Sequence, residues 1–511
     1  MIKQIILPVL AISMGCTSAY AQDPTSGFNN VIPESILTPD SVETSIGKLT
    51  FFDGMPDPET VATVYDNLDT IRATEAFLNM VPAASMEGMR VGLESIGSVE
   101  SNQVMMFDRL LDSNPLFLTG NTDTVYSLVM FDLERDGPTV VEIPAGSGPS
   151  TVNDAYFRFV TDMGAPGPDR GKGGKYLILP ESYDGEVPEG YFEARSPSST
   201  NLMVLRGFLV DGKTDAAVQS VKEGLKIYPL SQKDNPPAME FISGSTIPFN
   251  TVHANDFSFF EEINDVIQRE PVGFLDPELR GQLSSIGIQK GKVFDPDERM
   301  QKIMADGVAI GNATARALLL SPRNQSAYYY DDSQWFNAFV GGDYQWLIDG
   351  GDGGRNLDAR TAFFYGYTLN TPAMVLKMVG VGSQYAVAAA DKDGHYLDGS
   401  KTYRLKIPAD VPAKDFWSVV LYDPQTRSEL QTEQPFPSRN NQRDELEVAS
   451  DGSVELYFGP TAPEGKEGNW VQTIPGKGWW AVLRLYGPLE PWFDQTWRPG
   501  DFELIEGDGN L

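Results

Sequence analysis

Cysteine and histidine are nearly absent from this chain. Its 511 residues include one cysteine, Cys16, and two histidines, His253 and His395. A three-histidine zinc site is therefore excluded, and a Ser-His-Asp triad has at most two candidate bases. The sequence also lacks a Gly-x-Ser-x-Gly motif, which excludes the nucleophile elbow of an α/β-hydrolase. His253, which precedes a predicted helix start, is the better candidate base, whereas His395 falls in a predicted turn.

Long apolar runs are also missing, and the first residues have the pattern of a signal peptide. Lys3 supplies the positive charge, residues 5–12 form a short apolar core, and Ala19-Tyr20-Ala21 is a small-residue cleavage site. The apolar core is too short for a lasting membrane anchor, and no later stretch predicts a transmembrane segment. Cleavage after Ala21 would remove Cys16, so we expect an exported protein, periplasmic or secreted, without a thiol or disulfide.

Positive charge is in deficit. The chain has 39 Lys and Arg against 71 Asp and Glu, a formal net charge of −32. Because such a field repels phosphate backbones and anionic lipid, we predict no nucleic-acid partner. A small molecule or glycan is the expected ligand, and homo-oligomer formation is left open.

Blocks of residues in both halves of the chain resemble a bacterial family with two paired domains. The most specific block is Gly120-Asn-Thr-Asp-Thr-Val-Tyr-Ser127, and the others occupy residues 51–54, 60–69, 173–180, 416–423, 451–457, 469–470 and 483–488. In this order they resemble the domains of unknown function 1254 (N-terminal) and 1214 (C-terminal). The resemblance implies a two-domain architecture, and it carries no catalytic residue over to this chain.

The pattern of apolar residues and turn residues predicts a mainly β fold with helical insertions. Short alternating runs separated by Gly, Pro and Asp occupy residues 115–240 and again 375–505, which indicates two β-sandwich (jelly-roll-like) domains bridged by helices. The predicted organisation is a signal peptide (1–21), an extended lead-in (22–45), a domain resembling family 1254 with helices and a sandwich (46–325), a connection (326–375) and a sandwich domain resembling family 1214 (376–511).

A helix is predicted to begin at Asp57-Pro58, with Asp57 as its cap and Pro58 in its first turn. Pro82 is expected to end this helix because proline lacks the backbone N–H that continues it. Ser85 would then cap a second helix.

Polar side chains crowd the start of a predicted strand near residue 121. Asp123 is a candidate general base, Tyr126 a candidate proton donor, and Asn121 a candidate substrate-binding residue. The alternative is a turn in which the Asn, Thr and Asp side chains bond the local backbone.

A second candidate group is Asp154, Tyr156 and Arg158. Strand alternation would place them on one face, with Asp154 and Arg158 catalytic and Tyr156 binding substrate. The alternative is a solvated outer face with an ion pair. Since consecutive strands usually pair, we expect this group to share one cavity with Asp123, where repulsion between the two acids would separate their pKa values.

Arg484 and Tyr486 share a face of a C-terminal strand and are candidate substrate-binding residues in a cleft with the first domain. The acidic loop at residues 391–399 resembles a calcium loop but lacks the Gly and Glu that an EF-hand requires, so a hairpin is favoured. No metal site is predicted, and the cofactor is left unknown.

Two functions remain open, and whether the chain is an enzyme is not decided. The first is a hydrolase or lyase that uses carboxylate and tyrosine acid–base groups on a small molecule or glycan. The second is a non-catalytic, envelope-associated module that binds glycan or lipid through the aromatic-rich segment 321–346. A deep cavity lined by Asp123, Asp154 and Arg484 would favour the enzyme.

Overall fold

The computed structural model describes residues 32–505. The predicted signal peptide, its cleavage after Ala21 and Cys16 lie outside the described residues. The chain forms two compact units, which divide between Arg72 and Ala73.

The first unit contains a three-stranded antiparallel sheet and the start of a long helix. The strands are β1 (Ser41–Thr44), β2 (Gly47–Phe52) and β3 (Met55–Pro56), and the helix is α1 (Pro58–Ser95). The carboxylate of Asp57 accepts a hydrogen bond from the Thr60 backbone N–H at 2.7 Å, so the predicted cap and helix start are confirmed.

The prediction that Pro82 ends this helix is wrong. Helix α1 continues through Pro82 to Ser95, and Ser85 lies in its interior and starts no second helix. A proline frees the carbonyl four residues earlier. Here that carbonyl, of Leu78, accepts a hydrogen bond from the Thr361 hydroxyl at 3.0 Å. A tertiary contact therefore replaces the missing helical bond.

The second unit begins with a β-sandwich. A six-stranded sheet in the order β13-β4-β5-β11-β7-β8 faces a four-stranded sheet in the order β10-β9-β6-β12. Its core contains Val129, Val141 and Ile178, which come from both sheets. The elements are β4 (Gln103–Met106), β5 (Val125–Asp132), α2 (Leu133–Asp136), β6 (Thr139–Ile143), β7 (Ser150–Asp154), β8 (Phe159–Met163), β9 (Gly174–Pro180), β10 (Phe192–Ser196), β11 (Thr200–Gly207), α3 (Asp215–Gly224), β12 (Lys226–Pro229) and β13 (Glu240–Ser243).

Helices follow the first sandwich: α4 (Ser258–Arg269), α5 (Pro277–Ser285), α6 (Glu298–Leu320), α7 (Leu357–Gly366) and α8 (Pro372–Val375). Helix α6 is long and apolar enough to cross a membrane by length and composition alone. Its buried residues, among them Met304, Val308 and Leu319, belong to the central core, as in a core helix. The Tyr- and Gly-rich pattern of residues 326–375 did not predict α7 and α8.

A second sandwich completes the chain. The sheet β14-β20-β16-β17 faces the sheet β19-β18-β15-β21 around a core that includes Leu405, Val419 and Leu483. The elements are β14 (Ser383–Ala388), β15 (Thr402–Ile407), β16 (Ala413–Tyr422), β17 (Ser438–Asn440), β18 (Val454–Gly459), β19 (Trp470–Gln472), β20 (Trp480–Pro488), α9 (Glu490–Phe493) and β21 (Glu503–Ile505).

The predicted fold class, mainly β with two sandwiches and helical insertions, is confirmed. The strand pairs are mostly antiparallel, and the parallel pairs β9/β10, β4/β13 and β18/β19 each join an edge strand. A central core unites outward-facing residues of both sandwiches, such as Leu128 and Val482, with the helices. Polar side chains at this junction therefore lie far from solvent.

Candidate functional site

Asp123 lies in this junction and is fully buried. One carboxylate oxygen accepts hydrogen bonds from Ser418 at 2.6 Å and Tyr486 at 3.3 Å. The other accepts from Asn440 at 2.8 Å and Thr122 at 3.1 Å. Because three of these donors belong to the second sandwich, Asp123 joins the two sandwiches.

Asn121 organises the loop that carries Asp123. Its side-chain oxygen accepts hydrogen bonds from the backbone N–H groups of Asp123 at 2.9 Å and Thr124 at 3.1 Å, and its amide donates to the hydroxyl of Tyr126. These are the local bonds of the turn alternative.

Arg484 completes what we call the interface cluster: Asn121, Asp123, Tyr126, Ser418, Tyr422, Asn440, Arg484 and Tyr486. Its guanidinium donates to the Tyr422 hydroxyl at 2.6 Å and to the Thr119 carbonyl at 2.7 Å. Burial raises the pKa of Tyr422 well above its ordinary value, and the charge of Arg484 opposes this shift. Tyr422 is therefore a neutral hydrogen-bonding group here.

Glu429 borders the interface cluster through a backbone bridge with Tyr422. Both of its carboxyl oxygens are buried without a hydrogen-bond partner. Burial raises its pKa well above the ordinary range, because no donor stabilises the charged carboxylate here. Nothing in the sequence around Glu429 singled it out.

The structure does not bring Asp154 to Asp123. Strand β11 lies between β5 and β7, with Arg206 opposite Tyr126 and Asn201 opposite Asp154. Five residues of strand separate these two positions, which is about 17 Å along β11. The expectation of one shared cavity failed because it assumed that β5 and β7 pair directly.

Asp154, Tyr156 and Arg158 do come together, through a turn and not through strand alternation. Strand β7 ends at Asp154, and Phe157 takes a left-handed φ of 53°. One Asp154 oxygen accepts the backbone N–H groups of Tyr156 and Arg158, each at 2.8 Å. The other accepts the Arg158 side chain at 2.5 Å. Burial raises the pKa of Asp154, and the charge of Arg158 opposes that shift.

This turn forms one wall of a cavity of about 330 Å³, which we call the arginine cavity. Helix α7 and the loop before it form the opposite wall. The cavity combines cations and aromatic rings with two acids, and its lining includes Arg158, Arg355, Arg360, Tyr156, Tyr344, Trp346, Phe364, Asp154 and Asp276. Sequence analysis named three of these residues and the aromatic segment that holds Tyr344 and Trp346, but it missed Arg355 and Arg360.

Two of the three guanidinium groups have no carboxylate partner in the part of the chain that the structure describes. Arg355 donates to the Gln345 carbonyl, whereas Arg360 donates to the Asn79 side chain and lies 5.9 Å from the Tyr156 ring centroid. Burial and then the charge of Arg360 lower the pKa of Arg355. The cavity thus has a local excess of positive charge in a strongly acidic protein.

Three polar atoms of cavity-lining residues are buried without a hydrogen-bond partner: Trp346 Nε1, Arg360 Nε and Asn370 Oδ1. All three residues are at most 8% exposed. An unpaired buried donor or acceptor costs about 1–3 kcal/mol. The protein itself therefore leaves several polar atoms of the cavity-lining residues unpaired.

The histidines are not part of either polar region. His253 is buried between Phe77, Phe259 and Tyr365, and burial lowers its pKa to about 3, so it is neutral. His395 is exposed in the turn that Asp391 closes by accepting two backbone N–H groups at 3.0 Å. Within residues 32–505, no group of three or more His, Cys, Asp or Glu side chains could hold a metal ion.

The fold and this junction define a class of protein, a pair of β-sandwiches joined through helices and a buried polar interface. Family models match each sandwich: residues 101–229 match DUF1254, a protein of unknown function, and residues 382–490 match DUF1214, also a protein of unknown function. The chain therefore carries both domains of the paired family, in the order that its sequence blocks implied.

One solved structure extends this likeness at the level of the fold. The chain is similar to the VPA0106 protein from Vibrio parahaemolyticus, with 18% identity, a TM-score of 0.51 and coverage of 86% of this chain and 100% of that one. A putative uncharacterized protein from Burkholderia cenocepacia matches with 12% identity, a TM-score of 0.40 and coverage of 86% and 96%. No curated protein matches the chain significantly.

Proposed function

We propose that this protein binds a small organic anion, a carboxylate on an aromatic or sugar ring, in the arginine cavity. The observation that carries the proposal is the pair of guanidinium groups, Arg355 and Arg360, that converge on this cavity without a carboxylate partner. Guanidinium groups recognise carboxylates through paired, charge-assisted hydrogen bonds.

The aromatic lining indicates the rest of the ligand. The ring centroids of Trp346 and Phe364 are 4.9 Å apart, and Tyr344 and Tyr156 line the same cavity. Flat apolar walls with a few placed polar groups are typical of small-molecule sites of this volume. An acidic sugar or an aromatic acid matches this combination of charge and surface.

A binding role has more support than the hydrolase or lyase alternative. Asp123, the predicted general base, is fully buried, and both of its oxygens accept hydrogen bonds from protein donors. Asp154 is likewise held by Arg158 and two backbone N–H groups. A general base needs an open position next to the proton that it abstracts, and neither carboxylate offers one.

The test is a binding titration of the full chain with acids and matched neutral counterparts: benzoate with benzamide, and galacturonate with galactose. We expect an acid to raise the melting temperature and to release heat in calorimetry, whereas its neutral counterpart does neither. Arg360→Gln should weaken acid binding at least about tenfold. Arg195→Gln, a surface arginine paired with Glu193, is the matched control and should bind normally. Equal affinity for each acid and its neutral counterpart would refute the proposal.

A further inference from the structure

A second cavity, of about 360 Å³, lies beside helix α5, and we call it the α5 cavity. One face of α5 lines it, together with the end of α4 and the segments on either side of α5. Phe274 and Leu275 form the wall towards the arginine cavity. Leu275 lines both cavities, and the Phe274 ring centroid lies 5.2 Å from Cζ of Arg158. The two cavities are therefore neighbours, but their linings differ.

The lining of the α5 cavity is mainly aliphatic. Its apolar side chains are Ile267, Pro271, Val272, Phe274, Leu275, Pro277, Leu283 and Ile288. Among the described residues that line it, Phe274 alone is aromatic, and its ring contacts Tyr156 and Arg158 of the arginine cavity. Aliphatic walls bury the methylene groups of a flexible chain, and they lack the flat surfaces that suit a ring.

Two cations line the α5 cavity without a carboxylate partner in the part of the chain that the structure describes. Arg280 makes no hydrogen bond or ion pair there, and its Nε is buried without a partner, so this side chain is held in the cavity wall. Lys290 donates to the backbone carbonyls of Gln268 at 2.8 Å and Glu270 at 2.6 Å. Neither charge is therefore neutralised by an acid.

Glu270 is the one acid among the described residues of this lining, and its carboxylate is engaged elsewhere. It accepts the backbone N–H groups of Ser199 at 2.7 Å and Thr200 at 3.2 Å, and it lies 3.7 Å from the Arg269 side chain. The α5 cavity thus has an excess of positive charge in a protein with a formal net charge of −32. Charge complementarity favours an anionic ligand here.

We propose that the α5 cavity binds a free medium-chain carboxylic acid. Its carboxylate would pair with Arg280 and Lys290 through charge-assisted hydrogen bonds, and its alkyl chain would pack against the aliphatic wall. The volume of the cavity is in the ordinary range for small-molecule sites. This site is additional to the arginine cavity, since Leu275 alone lines both and the ligand has a flexible chain in place of a ring.

The probes are octanoate and 1-octanol, which share a chain length and differ in charge, and the readout is calorimetric titration of the full chain. We expect octanoate to bind at least about tenfold more tightly than 1-octanol. Arg280→Gln should remove this preference and leave 1-octanol unchanged. Hexanoate, two methylenes shorter, should bind about tenfold more weakly than octanoate. Equal affinity for octanoate and 1-octanol, or no binding of octanoate to the unaltered chain, would overturn the proposal.

Gly281 allows the cavity to be filled. It lies in α5 and lines the cavity, and a Cβ added there meets no atom within 4 Å. Gly281→Phe should abolish octanoate binding without loss of stability, because glycine is unfavourable inside a helix. The matched control, Ala313→Phe, adds the same ring at an exposed position of α6 and should bind normally. Normal octanoate binding by a folded Gly281→Phe would contradict the proposal.

A pair of variants separates this site from the arginine cavity. Arg280→Gln should weaken octanoate and leave benzoate unchanged, whereas Arg360→Gln should do the reverse. If Arg360→Gln alone weakens octanoate, this acid occupies the arginine cavity and the proposal for the α5 cavity fails. If benzoate does not bind but octanoate depends on Arg280, the proposal for the arginine cavity fails and this one stands.

Discussion

The interface cluster and the arginine cavity are both polar regions inside an apolar structure, yet their hydrogen bonding differs. Each oxygen of Asp123 accepts from two protein donors, so this carboxylate is fully hydrogen-bonded without a ligand. In the arginine cavity, Trp346, Arg360 and Asn370 each keep one unpaired buried atom. We therefore infer that Asp123 stabilises the fold, whereas the lining of the arginine cavity has hydrogen-bonding groups that the protein does not use.

The two regions should therefore respond to mutation in opposite ways. A completed network is strongly destabilised when one member is replaced, because its partners remain buried and unpaired. An uncompensated cation costs stability in the free protein, so its removal is tolerated and the loss is seen in binding. The following experiments test this contrast.

The largest effect is expected for Asp123→Asn. An amide places a donor where Ser418, Asn440 or Tyr486 already donates, so one buried hydrogen bond becomes a clash of donors. We expect a loss of about 3 kcal/mol in the free energy of unfolding, measured by urea denaturation. Asp332→Asn, at an exposed aspartate paired with Arg498, should change it by less than about 1 kcal/mol. If Asp123→Asn leaves the free energy of unfolding unchanged, Asp123 is not needed for stability and the predicted catalytic role would be supported instead.

Arg360→Gln should show the reverse profile. The guanidinium loses a hydrogen bond to Asn79 and a ring contact with Tyr156, but an unneutralised buried charge disappears as well. We expect the unfolding free energy without ligand to change by no more than about 1 kcal/mol. The stabilisation that a bound carboxylate gives the unaltered chain should be lost. A large stability loss without ligand would place Arg360 with the structural residues and break the contrast.

The sandwiches could be predicted from the sequence because alternation and turn residues are local signals, and both are present in residues 115–240 and 375–505. The separation of Asp123 from Asp154 could not be predicted in this way. It depends on β11, which follows both segments in the chain and inserts between their strands. Strand order is a tertiary property that no local pattern contains.

The residues of the arginine cavity could also be predicted from the sequence only in part. Asp154, Tyr156 and Arg158 were recognised, although their proximity comes from a turn that alternation does not describe. Arg355 and Arg360 were missed because they belong to an irregular segment and a short helix, where no spacing marks them as inward-facing. The prediction that Pro82 ends α1 was wrong for a related reason. The hydroxyl that bonds the carbonyl freed by this proline belongs to Thr361, which is distant in the sequence.

Glu262 on α4 extends this contrast to pH, since it is a half-buried acid with fewer hydrogen-bond donors than Asp123. Its oxygens accept the Ala254 N–H at 3.1 Å, and burial raises its pKa to about 8. The folded state then binds a proton more tightly than the unfolded state. This contribution is fully present below about pH 4.5, the ordinary pKa, and is lost as pH rises through about 8.

We therefore expect Glu262→Gln to be more stable than the unaltered chain at about pH 8, by about 1 kcal/mol or more, and the difference to vanish at about pH 4, below the ordinary pKa. Urea denaturation at both pH values measures it. The exposed neighbour Glu261 provides the control Glu261→Gln, which should show no such pH dependence. A difference that is the same at both pH values would mean that Glu262 is adequately stabilised as a carboxylate.

The smallest effect on stability is expected at Thr361, whose hydroxyl is hydrogen-bonded although the neighbouring Arg360 keeps an unpaired nitrogen. Thr361 follows Arg360 in α7, and its hydroxyl donates to the Leu78 carbonyl that Pro82 leaves free. Thr361→Val keeps the shape and removes the donor, so we expect a loss of about 1 kcal/mol in the free energy of unfolding. In a Pro82→Ala background the alanine N–H can bond Leu78 instead, and the same substitution should cost less. A double-mutant cycle measures this coupling. Equal costs in both backgrounds would show that Thr361 matters for packing alone, and that satisfying the freed carbonyl is not what allows α1 to continue through Pro82.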